Sequence, residues 1–158
     1  RQAMRRQDRE VVQQNEIDAI IESCDCLRLG LNAEGGAYIV PLNFAYVPGK
    51  PAKFYFHSAK EGRKVDMIGQ GTKAGFELDG AHRLGEAEIG CRHTFFYQSV
   101  IGTGTVRPVE TLEEKKRALS AIMAHYRKDC AFSFTDEQAD AVAVFCLTAE
   151  TMSCKQHS

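Results

Sequence analysis

Two β-prone runs joined by a turn-forming segment constrain the fold of this chain more than any other feature. The runs span residues 38–47 and 53–56 and are rich in β-branched and aromatic side chains. Residues 48–51 between them read Pro-Gly-Lys-Pro, which predicts a β-hairpin. Pro41 lies inside the first run and lacks the N–H that a central strand donates. It therefore predicts a bulge or a sheet edge, where unpaired backbone groups could bond a ligand.

A polar segment follows the hairpin and has the composition of a phosphate-binding loop. It reads His57-Ser58-Ala59-Lys60-Glu61-Gly62-Arg63-Lys64, and an amphipathic helix is predicted from its end to about Ile68. Small residues let backbone N–H groups approach an anion, and Arg63 and Lys64 can add charge-assisted hydrogen bonds. The segment predicts a phosphate site. A solvated helix start without a ligand is the alternative.

The rest of the chain supplies further strands with few helices between them. Strands are predicted at residues 27–31, 74–78, 93–106 and 142–148, which with the hairpin makes six. Residues 79–80 predict a turn and residues 81–92 a loop, while Gly102 and Gly104 predict strong curvature or close backbone approach. Because strands follow strands without regular crossover helices, the sequence favours a curved antiparallel barrel with helices outside it.

Capping residues predict where the other helices begin. Asn15 precedes a short helix, a capping box from Thr111 to Glu114 precedes the longest one, and Thr135 with Gln138 predicts one more short turn or helix. A length of 158 residues predicts a single domain over residues 1–158. Residues 1–14 form an N-terminal arm, and its first ten residues, charged and without an apolar period, are expected to be mobile.

Charge and hydropathy argue against two classes of partner. The net charge is −1 and basic runs such as Arg5-Arg6 are short, so nucleic acid is not expected as the main partner. No apolar run approaches the roughly 20 residues that a membrane helix needs, and the first residues are polar where a secretion signal would be apolar. We therefore expect no membrane partner and a cytoplasmic location.

The cysteines and histidines do not predict a metal centre. Six cysteines without a secretory signal are expected to be reduced thiols. Cys24, Cys26, Cys91 and His93 could be considered as a zinc set, but their spacing does not match that of paired zinc ligands. His125, on the long predicted helix, is expected to be exposed or packed because no cluster of further ligands accompanies it.

Three sequence motifs occur in order along the chain. They are Met4-Arg-Arg-x-Asp-Arg-Glu10, Val40-Pro-Leu-Asn-Phe44 and Tyr55-Phe-His-Ser-Ala-x-x-Gly-x-Lys64. Together they resemble the nitroimidazole-resistance (Nim) branch of the pyridoxamine 5′-phosphate oxidase-like, FMN-binding split-barrel superfamily. The resemblance continues through Ser99-Val-Ile-Gly102 and the helix from Thr111. It implies a mainly β fold, a six-stranded antiparallel split barrel of the Greek-key type with flanking helices.

The resemblance also implies a homodimer that holds two FMN molecules at the subunit interface. The residues that would line the isoalloxazine ring are Tyr38, Ile39, Val40, Pro41, Leu42 and Asn43. Those that would flank the flavin are His57, Ser58 and Ala59, and Arg63 and Lys64 would hold its phosphate. Ser99 and Val100 would reach toward the flavin of the partner subunit. The arm from Met4 to Glu10 would then be ordered against the dimer.

The function implied by the resemblance is that of an FMN-dependent reductase. Electrons would pass from NADH or NADPH through FMN to a small oxidised acceptor such as a nitroaromatic compound. His57 would donate a proton or position the acceptor, or else only bond FMN or fill the interface. Two alternatives are a flavin-binding or redox-sensing module without turnover, and a haem protein that binds through His57 or His93. Oxidation of pyridoxamine phosphate is not expected, because residues 153–158 lack the arginine-containing substrate motif of the true oxidases.

Overall fold

Eight β-strands form one antiparallel sheet in the computed structural model, which describes residues 3–158. The strands are β1 (Glu10–Val11), β2 (Leu27–Ala33), β3 (Gly36–Leu42), β4 (Ala45–Val47), β5 (Lys53–Ser58), β6 (Thr72–Gly85), β7 (Thr94–Pro108) and β8 (Ala143–His157). The helices are α1 (Gln14–Ser23), α2 (Arg63–Ile68), α3 (Leu112–Tyr126) and α4 (Asp136–Asp140), with short 3-10 helices at Gln7–Arg9 and Gly90–Arg92.

The order of the strands makes the sheet curl into a split barrel. Along the sheet they lie in the order β3-β2-β6-β7-β8-β5-β4, and β1 adds to β8. The consecutive strands β3 and β4 thus lie at opposite edges, although only Asn43 and Phe44 connect them. Such a connection spans at most about 11 Å, so the two edges must come close together. The predicted antiparallel split barrel with flanking helices is confirmed.

The predicted number of six strands is wrong, for two physical reasons. The run 38–47 was predicted to be one strand but is broken at Asn43 and Phe44, so β3 pairs with β2 and the turn at residues 48–51 joins only β4 to β5. This break adds one strand to the predicted six. The second additional strand is β1, in the N-terminal arm. Pro41 lies opposite Arg28 on the edge strand β3, which confirms the predicted sheet edge.

The arm is ordered where it was expected to be mobile. Glu10 pairs with Lys155 and Val11 with Cys154, so β1 extends the sheet and the expectation of mobility is wrong there. Arg1 and Gln2, which that expectation also included, lie outside the described residues. The arm ends at α1, which begins at Gln14 without a side-chain cap. Asn15 lies inside this helix, so the predicted cap is wrong.

Two strands continue by seven or more residues beyond their predicted ends. In β6 no turn forms at residues 79–80; the strand passes through a register shift between Gly80 and Arg83, where Ala81 has a φ of 53°, and reaches Gly85. The predicted loop is therefore wrong for residues 81–85. The last strand continues from its buried start to His157 because it pairs with β7 along almost all of its length. The capping box predicted at Thr135 is present at the start of α4. At the start of α3 only half of the predicted box forms, with the Thr111 hydroxyl accepting from the backbone N–H of Glu114.

Alternation along the strands separates an apolar interior from an outer face. Leu27, Leu29 and Leu31 of β2 are buried, whereas Arg28 and Gly30 between them point outward. Aromatic residues fill the interior, and Phe44, Phe54 and Phe56 are fully buried. On the outer face, Ile39 is 64% exposed and Ile101 58% exposed. The outer face of β3 and β7 therefore carries large apolar side chains that the single chain leaves in water.

Two glycines allow β7 to cross close to β8. A Cβ atom at Gly104 would collide with the carbonyl oxygen of Thr148, and one at Gly102 with Thr151 and the ring of Phe76. The register of β7 and β8 shifts between Thr103 and Gly104. The close approach predicted from the sequence is thus confirmed.

We predict that Gly104→Ala destabilises the protein by about 1–3 kcal/mol, because the added methyl group meets backbone that can move only with the whole strand. Gly75→Ala is the matched control, since a Cβ atom there has its nearest neighbour at 3.8 Å. Urea unfolding followed by circular dichroism measures both free energies. Equal stability of the two variants would show that β7 and β8 do not approach as closely as described.

Candidate functional site

The predicted phosphate loop lies between the end of β5 and the start of α2. Strand β5 ends at Ser58, whose hydroxyl donates to the carbonyl oxygen of Ala59 at 2.7 Å. The chain turns at Gly62, which has a φ of 144°, a conformation that side-chain-bearing residues rarely adopt. Helix α2 begins directly afterwards with Arg63 and Lys64 and ends at Ile68, as predicted. The turn thus places two adjacent cations beside the end of β5.

Arg63 connects this loop to the edge strand β3. Its guanidinium carbon lies 4.3 Å from the centre of the Tyr38 ring, a cation–π contact. Among the described residues, neither Arg63 nor Lys64 forms an ion pair with a carboxylate. The positive charge of both side chains is therefore not neutralised by residues 3–158, which suits an anionic ligand.

His57 lies next to these cations at the exposed end of β5. Its ring is accessible from solvent, yet partial burial of the imidazole first, and then the nearby Lys64 ammonium, lower the pKa of His57 below its usual value of 6.5. The side chain is consequently mainly neutral at pH 7. A neutral imidazole can donate one hydrogen bond and accept another, so it can bond a ligand on either nitrogen.

The predicted ring-binding strand offers its backbone more than its side chains. Val40 packs against the core and Leu42 is buried, whereas Ile39, Pro41 and Asn43 are exposed on the other face. Within residues 3–158, β3 pairs only with β2 and leaves its other edge without a strand. Such an edge presents unpaired N–H and C=O groups, which can bond the polar rim of a flat heterocycle.

Ser99 and Val100 lie elsewhere on the single chain. Val100 is fully buried in the core, so its side chain has no access to a ligand from outside. Ser99 lines a cavity of about 740 Å³ between β7, β8 and the arm. The full lining is Ala3, Met4, Ser99, Ile101, Gly102, Thr103, Thr151, Met152, Ser153 and Lys155. None of these residues belongs to the stretch 38–64, so one chain does not bring Ser99 together with the phosphate loop.

A charge cluster on the outer face was not predicted from the sequence. Arg28 contacts Glu77 at 3.1 Å and Asp79 at 3.2 Å, and His82 lies 3.0 Å from Asp79. Partial burial first, and then Asp79, raise the pKa of Glu77 to about 7, while the hydrogen bond with Glu77 lowers the pKa of Asp79. The pair therefore holds a proton on Glu77 toward neutral pH. The alternation of apolar and polar residues in the sequences of β2 and β6 predicts that these side chains point outward. It does not predict which of them face one another.

The residues considered as metal ligands do not converge. Among residues 3–158, no group of three or more His, Cys, Asp or Glu side chains could hold a metal ion. All six cysteines are unpaired; Cys24 is buried and Cys91 is exposed. The side chain of His125 is 4% exposed and bonds the carbonyl oxygen of Cys24 at 2.6 Å, so it is a packed histidine. No helix of the described chain is long and apolar enough to cross a membrane.

Comparison with known protein families identifies a similarity that spans almost the whole chain. Residues 13–156 match the family model described as pyridoxamine 5′-phosphate oxidase. No curated protein sequence matches the chain at a significant level.

Solved structures of the same fold extend this comparison. A candidate 5-nitroimidazole antibiotic resistance protein from Bacteroides thetaiotaomicron is 30% identical, with a TM-score of 0.79, covering 93% of this chain and 86% of its own. The FAD- and haem-binding protein from Mycobacterium smegmatis is 15% identical (TM-score 0.80; 95% and 74% covered). The flavocytochrome Anf3 from Azotobacter vinelandii is 17% identical (TM-score 0.77; 99% and 72% covered). The last two share the fold with this chain.

Proposed function

The chain belongs to the pyridoxamine 5′-phosphate oxidase family, and from this premise we propose that it binds FMN and is a flavin-dependent reductase. The observation that carries the proposal is the meeting of Arg63, Lys64 and His57 beside the free edge of β3. Two cations without a carboxylate partner suit a phosphate group, and an open strand edge suits a flat ring. FMN combines both chemical features in one molecule.

The residues present fit this cofactor at both of its ends. Arg63 and Lys64 would bind the phosphate, and Ser58 and Ala59, which precede them in the same loop, would flank the flavin. The backbone of Ile39, Pro41 and Asn43 would bond the edge of the isoalloxazine. The match to a candidate 5-nitroimidazole resistance protein at 30% identity supports a nitroaromatic acceptor. The more distant Mycobacterium smegmatis neighbour binds FAD and haem, so the test of the proposal identifies the bound flavin as well as its presence.

The proposed assembly is a homodimer with FMN at the subunit interface. This assembly is supported by large apolar side chains that the single chain leaves exposed on its outer face, and by the position of Ser99. Ile39 and Ile101 remain in water in the single chain, and the cavity beside Ser99 is separate from the phosphate loop. A second copy that covered this face would bury the two isoleucines. It could also bring Ser99 of one subunit to the ring held by the other.

The proposed reaction reduces a nitro group with NADH or NADPH as the electron donor. The nicotinamide gives up a hydride, and with one further proton the nitro group becomes a nitroso group and water. Bound FMN supplies the redox chemistry that passes these two electrons. The role of the chain is to orient the ring along β3 and to place His57 near the acceptor. His57 would hold or donate the further proton, a role that its lowered pKa restricts to the acidic side of neutrality.

We predict that Arg63→Ala combined with Lys64→Ala weakens FMN binding at least tenfold, because two charge-assisted contacts to the phosphate are lost. Lys60→Ala is the matched control: this cation lies in the same loop but faces Asp140 at 3.8 Å. Fluorescence titration with FMN and with riboflavin, which lacks the phosphate, measures the effect. Unchanged FMN affinity in the double variant would place the phosphate elsewhere.

We also expect the FMN-loaded protein to oxidise NADH or NADPH in the presence of a nitroaromatic acceptor. If His57 donates the proton, turnover falls as pH rises through its pKa, which lies below the usual 6.5 because of burial and Lys64. His57→Gln, measured at saturating FMN, should lower the rate and remove this fall. If no acceptor in a panel of nitroaromatics and quinones supports steady-state oxidation of NADH or NADPH, the protein is instead a flavin-binding module without turnover.

A further inference from the structure

The short connection between β3 and β4 is held in place by the end of a distant helix. The backbone N–H of Phe44 donates to the hydroxyl oxygen of Tyr126 at 3.2 Å. That hydroxyl in turn donates to the carbonyl oxygen of Asp25 at 2.8 Å. Tyr126 is the last residue of α3, and Asp25 lies between α1 and β2. The hydroxyl group of Tyr126 therefore joins the connection between β3 and β4 to the segment that leads into β2.

The neighbouring residue of α3 contacts the same two places. The ring of His125 lies 4.4 Å from the ring of Phe44, and its Nε2 lies 2.6 Å from the carbonyl oxygen of Cys24. Because a carbonyl oxygen can only accept, Nε2 carries the hydrogen. Nδ1 faces the Glu22 carboxylate at 3.5 Å, beyond the distance of a good hydrogen bond. We call His125 and Tyr126 the α3 clasp.

The α3 clasp acts on the segment that carries the proposed ring contacts. Phe44 is fully buried and directly follows Asn43, the exposed end of the predicted ring-binding stretch. A movement of Phe44 would therefore move Asn43 and the end of β3. The side chains of the clasp contact Phe44, Cys24 and Asp25, whereas Arg63 contacts Tyr38 at the opposite end of the 38–44 stretch.

We propose that Tyr126, supported by His125, is a positioning residue for the flavin. It fixes the connection at residues 43–44 and thereby sets where the open edge of β3 meets the ring. This inference rests on the proposed function, because it concerns the geometry of the same site. It adds a residue on α3, more than 60 positions along the chain from the phosphate loop, which would act through the connection at residues 43–44.

The test compares two tyrosine-to-phenylalanine variants. Tyr126→Phe removes the hydroxyl that holds the Phe44 N–H. Tyr46→Phe is the matched control, since its hydroxyl also joins the barrel to a helical region, donating to Asp18 at 2.7 Å, but it does not bond the connection. Each substitution removes one hydroxyl group together with the hydrogen bonds that it makes. Circular dichroism and thermal unfolding confirm that both variants fold.

We expect Tyr126→Phe, which loses both hydrogen bonds of the hydroxyl, to bind FMN about three- to tenfold more weakly, a change comparable to the energy of about one hydrogen bond. It should also alter the visible absorption and circular dichroism of the bound flavin. Tyr46→Phe should keep the wild-type affinity and flavin spectrum even if its midpoint of unfolding falls. A lower unfolding midpoint for Tyr126→Phe with unchanged flavin affinity and spectrum would overturn the inference while leaving the proposed function intact. A wild-type chain that does not bind FMN would overturn both.

A second pair of variants keeps the inference testable if Tyr126→Phe does not fold. His125→Gln retains an N–H donor for the carbonyl oxygen of Cys24, whereas His125→Leu removes it. We expect the glutamine variant to keep more of the FMN affinity than the leucine variant, and the flavin spectrum to change only with leucine. Equal affinities and spectra in the two variants would contradict a positioning role for the clasp.

Discussion

The two-residue connection between β3 and β4 is the constraint on which the rest of the structure depends. Because Asn43 and Phe44 must join opposite edges of one sheet, the sheet has to curl, and its inner face closes around a core of aromatic residues. The curl also leaves β3 as an open edge. The pairing of the strands alone would allow a flatter sheet, but the short connection between β3 and β4 excludes a flat arrangement.

The proposed site follows from the same constraint. The open edge of β3 supplies unpaired backbone groups, and the cation–π contact between Arg63 and Tyr38 brings the phosphate loop beside it. Helix α3 then holds the connection itself through Phe44. The ring end and the phosphate end of a ligand would thus be set by two different parts of the chain.

Local patterns predicted the elements whose formation depends on neighbours in sequence. The turn at Gly62, the end of α2 at Ile68 and the capping box at Thr135 all agree with the structure. The break at Asn43 was missed because Phe44 has a high β-propensity, and only the pairing of distant strands shows that the run divides there. The Arg28–Glu77 contact was missed because it depends on the register between β2 and β6, which hydrophobic alternation does not fix to a particular partner.

The binding of FMN is tested most directly by the absorption spectrum of the purified protein, taken before and after addition of FMN. The chromophore is then released by heat and identified by its mass. We expect flavin bands at close to one FMN per chain. Failure of the folded protein to take up FMN would contradict the central proposal, and a Soret band would replace it with a haem-binding function.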